Sequence, residues 1–198
     1  MFNGYPDTVR VGSEVVNIDP DFRIMMNFEI GVQSSDTAVI LSAVSDFFKD
    51  NVPADTDSAV AAMIKFYLCG DSPDEKNEQK SGSKRCYDFK EDMRHFVAAF
   101  RQQYGIDLNI AKMHWWEFSA LFAGLTDQTE LVKIMQIRCT NLKSISYKPE
   151  RDRIKRLQEN YALKQYRRKR YSSAAERDNA MIEDAKRRIA EIDRKEYG

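Results

Sequence analysis

One stretch of the chain, residues 87–142, carries most of the large side chains that could build an apolar core. It contains both tryptophans, both histidines and 5 of the 11 phenylalanines. Aromatic side chains remove large apolar areas from water and dominate the energetics of a core. We therefore expect the rest of the chain to pack around this stretch.

Start and stop signals in this stretch predict a first helix. Asp88 can cap its N-terminus, and Glu91 three residues later completes a capping box. Gly105 stands where a left-handed residue commonly ends a helix. Between these limits, the apolar residues at the spacing of one helical face are Phe89, Met93, Phe96, Val97, Phe100 and Tyr104.

A second helix is predicted from Asn109 to Gly124. It is apolar nearly all round, so we expect it to be central rather than a surface helix. Its large side chains are Trp115, Trp116, Phe118, Leu121 and Phe122. A third helix is predicted to begin at Asp127, with Glu130 three residues later, and its apolar residues are Leu131, Ile134, Met135 and Ile137.

The run His114-Trp115-Trp116 invites a catalytic or ligand-stacking interpretation. Adjacent residues on a helix point about 100° apart, so the two tryptophans serve two packing surfaces. We expect one of them to fill the core and the other to contact a hairpin or a neighbouring subunit. Packing is therefore the favoured interpretation.

The N-terminal part, residues 1–70, is predicted to contain one hairpin followed by helices. Residues 8–18 alternate weakly around Gly12-Ser13, which is typical of a short β-hairpin. Asp19-Pro20 and Asp36 mark two helix starts, and Gly70 marks the end of a third helix. The predicted inner residues of the three helices are Phe22, Met25, Met26 and Ile30; Ile40, Val44 and Phe47; and Val60, Met63, Ile64, Tyr67 and Leu68.

Residues 71–86 contain no large apolar side chain and are polar, charged, glycine or proline up to Cys86. Such a segment cannot offset the entropy of ordering itself by burying apolar surface. The composition predicts a flexible linker between a unit at residues 1–70 and a helical core at residues 87–142.

Residues 143–198 differ in charge from the rest of the chain. They hold 17 Lys and Arg against 10 Asp and Glu, although the whole chain has 31 of each. Pro149 is predicted to start one helix, and Ser173 with Glu176 a second. Each helix has a narrow apolar stripe and otherwise charged positions, so we expect a charged helical extension that seeks a partner helix. The predicted partner-binding residues are Ile154, Leu157, Tyr161, Ile182, Ala185, Ile189 and Ile192.

A nucleic-acid site is a weaker interpretation of the same region. Arg167-Arg168-Lys169-Arg170 could bind phosphates, and the interleaved Tyr161, Tyr166 and Tyr171 could stack on bases. However, the extension also carries ten acidic residues, and the chain as a whole is neutral. A solvated or protein-binding face is therefore favoured.

The reactive side chains do not form a recognisable catalytic, cofactor or metal site. The spacing of the three cysteines fits neither a zinc site nor a redox motif, so we expect reduced thiols, with Cys139 buried as a small apolar residue. His95 and His114 share no helical face with cysteines or clustered carboxylates. The phosphate-loop, nucleophile-elbow and zinc-protease motifs are absent from the sequence. We expect no catalytic residue, no cofactor, no metal and no enzyme activity.

Taken together, these patterns predict a mainly α protein. They indicate a helical body with a small N-terminal β-hairpin and a charged helical C-terminal extension. The sequence contains no apolar run of the length needed to cross a bilayer, and its start does not resemble a signal peptide. We therefore expect a soluble protein of the bacterial host cytoplasm.

The motifs of residues 87–142 resemble a known group of small phage proteins. They are Tyr87-Asp88-Phe89, Ala98-Ala99-Phe100, Tyr104-Gly105-Ile106-Asp107-Leu108, His114-Trp115-Trp116 with Phe118, Ala120-Leu121-Phe122 with Gly124-Leu125, and Arg138 with Asn141-Leu142. Asp21-Phe22-Arg23 and Phe66-Tyr67 with Cys69-Gly70 extend the resemblance toward the N-terminus. The family belongs to the tail gene cluster of long-tailed phages and prophages of Gram-positive bacteria, between the tail-tube and tape-measure genes.

The resemblance implies a tail assembly chaperone, a role assigned to that family largely from gene position. Its implied partners are the tape-measure protein and the tail-tube protein, with possible self-association and no membrane. Such a protein is expected to be absent from the mature virion. A minor structural tail component and, less favoured, a small nucleic-acid-binding protein remain as alternatives.

Overall fold

The computed structural model describes residues 4–70 and 85–164. In these ranges, seven α-helices follow a two-stranded antiparallel sheet, which confirms the predicted mainly α fold with an N-terminal hairpin. The strands are β1 (Thr8–Val11) and β2 (Glu14–Asn17). The helices are α1 (Phe22–Ser34), α2 (Thr37–Phe47), α3 (Thr56–Tyr67), α4 (Phe89–Tyr104), α5 (Trp115–Ala123), α6 (Glu130–Cys139) and α7 (Lys148–Asn160), and a 3-10 turn spans Leu142–Ser144.

The hairpin turns at Gly12-Ser13, as predicted. Thr8 pairs with Asn17 and Val11 with Glu14, and Gly12 takes a φ of 57°, which a residue without Cβ adopts readily. Val11 and Ile18 are buried in the core, and β1 lies against α3. The helices therefore support a sheet that would be marginal alone in water.

Three predicted helix ends are confirmed. The Asp36 carboxylate accepts the backbone N–H groups of Ala38 and Val39 at the start of α2. At the start of α4, the Asp88 carboxylate accepts the N–H of Glu91 at 2.8 Å. Gly105 ends α4 in the left-handed region, with a φ of 70°. Local capping chemistry thus places these boundaries.

Two predicted helix starts are wrong. The helix expected from Asn109 begins only at Trp115, because Asp107 binds the N–H of Asn109 in a local turn and His114 provides the cap. The helix expected from Asp127 begins at Glu130, where the Thr129 hydroxyl accepts the N–H of Val132. In both cases the backbone N–H groups in the first turn bond a different polar side chain, His114 or Thr129, from the one that the pattern predicted.

Some residues on predicted inner faces lie at the surface. Met93 of α4 is 37% exposed and Val60 of α3 is 39% exposed. The small residues Ala59 and Ala99 are buried instead. Small side chains allow neighbouring elements to approach closely. The buried face of each helix is therefore rotated from the face predicted from the large apolar residues alone.

The core is organised around Phe118 of α5, which is fully buried. Its ring stacks on Phe22 of α1 and on Phe100 of α4, each with centroids 5.0 Å apart, and on Trp115 at 5.6 Å. Three helices thus meet on one aromatic side chain. This arrangement confirms that the Trp115–Gly124 region is central.

Gly31 allows α1 and α2 to cross closely. A Cβ at this position would lie 2.9 Å from Cγ1 of Ile40 and 3.0 Å from its backbone nitrogen. Such distances are too short for a side chain without movement of the α2 backbone. The glycine is therefore required by the packing of α1 on α2.

The first compact unit of the chain runs from Met1 to Leu163. It therefore includes α7, although the charge pattern predicted a separate extension beginning at residue 143. A second unit runs from Lys164 to Gly198, and of this unit the structure describes only Lys164. Most of the predicted linker, residues 71–84, also lies outside the described residues.

Cys86 and Cys139 form a disulfide, so the prediction of reduced thiols is wrong for this pair. Their Cα atoms lie 5.5 Å apart, although the two residues are 53 positions apart in sequence. Cys139 is exposed rather than buried, and Cys69 is a free thiol. The start of α4 and the end of α6 come together only in the folded chain, so cysteine spacing could not predict the link.

Within the described ranges, every helix is too short or too polar to cross a bilayer.

Candidate functional site

The predicted partner-binding residues fall into two sets. Ile154, Leu157 and Tyr161 lie on or next to α7, and each is half-buried against its own chain. Ile182, Ala185, Ile189 and Ile192 lie outside the described residues. The structure therefore positions only the first set, and part of its apolar surface is already covered.

Hydrogen bonds to backbone carbonyls hold α7 against α6. Gln158 Nε2 donates to the carbonyl of Ile137 at 2.9 Å and to that of Thr140 at 2.8 Å. Arg138 Nε donates to the carbonyl of Tyr161 at 2.6 Å. Carbonyls in the last turn of a helix lack their i+4 donors, so Gln158 supplies bonds to the end of α6, where the Ile137 carbonyl otherwise accepts only a long bond of 3.4 Å from the N–H of Thr140.

Arg138 also forms a buried ion pair with Asp92 of α4. Its Nη1 and Nη2 donate to Asp92 Oδ2 and Oδ1 at 2.5 and 3.0 Å, and Nη1 donates to the Cys86 carbonyl at 3.2 Å. The side chains are 6% and 3% exposed. Asp92 Oδ2 in turn accepts the backbone N–H of Asp88 at the start of α4. One guanidinium therefore links α4, α6 and the end of α7.

The two tryptophans divide their roles as predicted. Trp115 is buried and stacks on Tyr67 with centroids 5.4 Å apart, whereas Trp116 is half-buried and lines a cleft beside the hairpin. Their indole N–H groups donate to consecutive carbonyls at the end of α3, Trp115 to Tyr67 at 2.8 Å and Trp116 to Phe66 at 2.9 Å. The pair therefore caps α3 as well as filling space.

His114 is a structural cap in this fold. Its Nδ1 accepts the backbone N–H of Trp116 at 2.9 Å, so the ring proton sits on Nε2, which lies 2.9 Å from the Pro6 carbonyl and donates to it. The imidazole also stacks on Tyr5 with centroids 4.9 Å apart. Both ring nitrogens are thus engaged within the chain, and neither is available as a base or ligand.

A cleft of about 210 Å³ lies between the hairpin and α3. Its apolar surface comes from Pro6, Val9, Ala62, Phe66 and Trp116, and its remaining lining residues are Thr8, Arg10, Lys65 and Gly70. No motif in the sequence indicates this cleft. Its two walls, β1 and α3, are separated in the sequence by α1 and α2. No local pattern therefore shows that they lie side by side.

Arg23 organises the irregular segment before α5. Its Nη2 donates to the carbonyls of Leu108 at 3.1 Å and Ala111 at 2.8 Å, while Nη1 bonds Asp21. The guanidinium lies 4.6 Å from the centroid of the Phe22 ring. The Asp21-Phe22-Arg23 motif therefore fixes the path of residues 108–111.

Glu29 of α1 is a buried carboxyl in a polar cluster. Tyr67 Oη donates to its Oε2 at 2.6 Å, and Gln33 Nε2 donates to its Oε1 at 2.5 Å. Burial raises the pKa of Glu29 above its ordinary 4.5, although hydrogen bonds from Tyr67 and Gln33 lower it in part. The pKa values of the Tyr67 and Tyr87 hydroxyls are raised mainly by burial and, to a smaller extent, by the negative charge of Glu29. The tyrosines therefore stay protonated, and we assign the cluster to packing.

In residues 4–70 and 85–164, no three His, Cys, Asp or Glu side chains are grouped so that they could hold a metal ion.

The sequence model of a family described as Bacteriophage Gp15 protein matches residues 5–163. This range ends where the first compact unit ends. No curated protein and no solved structure matches the chain.

Proposed function

Because the chain belongs to the bacteriophage Gp15 protein family, we propose that it is a tail assembly chaperone. In this role it binds the tape-measure protein and helps to recruit tail-tube subunits while the tail is built. It acts in the cytoplasm of the bacterial host and is left out of the mature virion. The resemblance of residues 87–142 to proteins encoded between the tail-tube and tape-measure genes supports this role.

The residues that we propose as the main tape-measure contact lie beyond the part of the chain that matches the family. The match to the family ends at residue 163, and the four apolar residues of the predicted stripe, Ile182, Ala185, Ile189 and Ile192, lie beyond it in a segment rich in charge. A narrow apolar stripe on a charged helix suits binding to another amphipathic helix. We assign tape-measure binding to residues 150–197 and self-association or recruitment of tube subunits to the body.

The part played by Ile154, Leu157 and Tyr161 is more limited in this proposal. They are half-buried against the body, so only the remaining part of each side chain can meet a partner. The four residues beyond Leu163 are therefore the main contacts that we propose for the tape measure.

The proposal is tested by co-expressing the full chain with a fragment of the tape-measure protein from the adjacent gene. We expect the fragment to become soluble and to co-purify with the chain. Ile182→Asp with Ile189→Asp should release the fragment into the insoluble fraction, because two charges interrupt the apolar stripe. Ala180→Asp with Ala190→Asp adds the same charge away from the stripe and should keep the complex.

Two results would contradict the proposal. One is a tape-measure fragment that stays insoluble beside the wild-type chain. The other is the chain itself in purified virions at a fixed ratio to tail proteins, which would favour a minor structural component of the tail.

A chain ending at Leu163 provides a second test of the assignment. This end is preferable to one at Leu142, because Arg138 bonds the Tyr161 carbonyl and Gln158 bonds the end of α6. We expect the shortened chain to lose tape-measure binding. If it still keeps the fragment soluble, the contact lies on the body.

A further inference from the structure

The outer edge of β1 presents unpaired backbone groups. In the hairpin, Val11 lies opposite Glu14 and Val9 opposite Val16, and the N–H of Ile18 donates to the Asp7 carbonyl at 2.9 Å. Hydrogen-bonded pairs alternate along an antiparallel ladder, so the N–H and C=O groups of Thr8 and Arg10 point away from β2. In the described part of the chain, no other group bonds them.

An apolar recess lies beside this edge, with α3 as its opposite wall. Phe66 and Trp116 line the recess, and its volume of about 210 Å³ is below the roughly 300–1,000 Å³ typical of small-molecule sites. The indole of Trp116 is fixed by its hydrogen bond to the Phe66 carbonyl. The recess is therefore preformed, and its size suits an inserted side chain rather than a cofactor.

The charges around the recess have one sign. Its two charged lining residues, Arg10 and Lys65, are exposed cations. Within residues 4–70 and 85–164, neither cation pairs with a carboxylate. A ligand that brings a negative charge to this position would meet complementary groups without displacing an existing ion pair.

We propose that the cleft between β1 and α3 binds an extended, acidic segment of a partner protein. The segment adds to the outer edge of β1 as a third strand and bonds the backbone of Thr8 and Arg10. One of its apolar side chains packs on Phe66 and Trp116, and a carboxylate lies near Arg10 and Lys65. Strand addition of this kind takes affinity from the main chain and specificity from pockets for alternate side chains.

This inference goes beyond the proposed chaperone role and does not depend on it. Tape-measure binding was assigned to residues 150–197, whereas the cleft is formed by the hairpin, α3 and α5. The cleft can therefore bind its peptide even if the tape measure is not a partner.

The probe is a displayed library of random twelve-residue peptides, selected on the full chain. We expect enriched peptides to combine one large apolar residue with aspartate or glutamate nearby. Their synthetic versions should bind with a change in tryptophan fluorescence, because Trp116 lies in the cleft. Arg10→Gln with Lys65→Gln should weaken binding about tenfold, since two exposed ion pairs are lost. Lys133→Gln with Lys155→Gln removes two exposed cations elsewhere and should leave binding unchanged.

The main-chain bonds have their own test. Only alternate amides of an added strand bond its neighbour. N-methylation of the peptide at one set of alternate residues should abolish binding, and methylation of the other set should not. Thr8→Pro removes the outward N–H while sparing the ladder to β2, and it should also weaken binding.

Several results would overturn the proposal. One is a selection that enriches no peptide, another is equal binding of the two methylated sets, and a third is an Arg10 and Lys65 variant that binds as well as wild type. A dimer of the chain that Thr8→Pro dissociates would show that a second copy occupies the edge. Peptide binding that begins only when residues 72–83 are replaced by glycine and serine would assign the cleft to the chain's own segment.

Discussion

Asp92 and Arg138, which lie 46 positions apart in sequence, form a two-point ion pair that is almost completely buried. The pair joins the first turn of α4 to the last turn of α6. The same guanidinium donates to the carbonyls of Cys86 and Tyr161. It therefore also holds the segment before α4 and the end of α7. Loss of either partner leaves a charge in the core without compensation.

We expect Asp92→Ala to lower the free energy of unfolding by about 3–5 kcal/mol, because it leaves Arg138 buried and unpaired. Arg138→Lys should also destabilise the protein, since an ammonium cannot reproduce the planar fork. Denaturant unfolding measures both changes. Arg153→Gln breaks an exposed pair with Glu150 and is the control, which should remain near wild type. An Asp92 variant as stable as this control would contradict the role of the pair.

Phe118→Ala should lower the free energy of unfolding by about 3–5 kcal/mol, because it opens a cavity among Phe22, Phe100 and Trp115. The matched variant is Met93→Ala, which removes a large apolar side chain that is 37% exposed. Its cost should be about 0.5 kcal/mol or less. Thermal and urea unfolding of the two variants would show whether the stability of the core depends on Phe118 or on the predicted inner face of α4.

Glu29 should make stability depend on pH in the direction opposite to a carboxyl held by a salt bridge. Burial raises its pKa above 4.5, so the folded protein keeps the proton at pH values where the unfolded chain has lost it. The free energy of unfolding therefore falls as pH rises from 4.5 to the higher folded value.

Glu29→Gln should remove this pH dependence and should be at least as stable as wild type above that interval. The new carboxamide can still accept from Tyr67, and its N–H can bond Gln33 Oε1, which has no partner in the described residues. Urea unfolding at a series of pH values measures the slope. An unchanged slope in the variant would show that another group is responsible.

The disulfide should stabilise the purified, oxidised protein by about 2–4 kcal/mol, because it closes a long loop in the unfolded chain. Cys139→Ser should remove this contribution, and a reducing agent should have the same effect on wild type. Cys69→Ser, at the free thiol, should leave the response to reduction unchanged. Mass spectrometry without reduction should find the Cys86 and Cys139 peptides linked. Separate peptides would contradict the bond.

Much of the secondary structure could be predicted because its signals are local. The turn at Gly12-Ser13, the caps at Asp36 and Asp88, and the end of α4 at Gly105 each depend on a few neighbouring residues. Their hydrogen bonds close within about four positions, so the amino-acid order alone contains them. The concentration of aromatic residues likewise identified the core region, whose centre is Phe118.

Other features required the tertiary structure. Nothing near Arg138 in sequence shows that it is buried, since its partner Asp92 belongs to another helix. The cleft needs β1 beside α3, and the indole bonds to Phe66 and Tyr67 need α5 to cross the end of α3. Periodicity describes one helix at a time and cannot say which faces meet.

The sequence by itself therefore determined the fold class, the hairpin and the helix ends at Asp36, Asp88 and Gly105, because those depend on short-range hydrogen bonds and on apolar periodicity. Only the tertiary structure decided which polar groups became buried partners, where the helix after Asn109 begins, and that α7 belongs to the body. Those choices depend on desolvation and close packing between residues far apart in the chain, and these forces act only once the chain has folded.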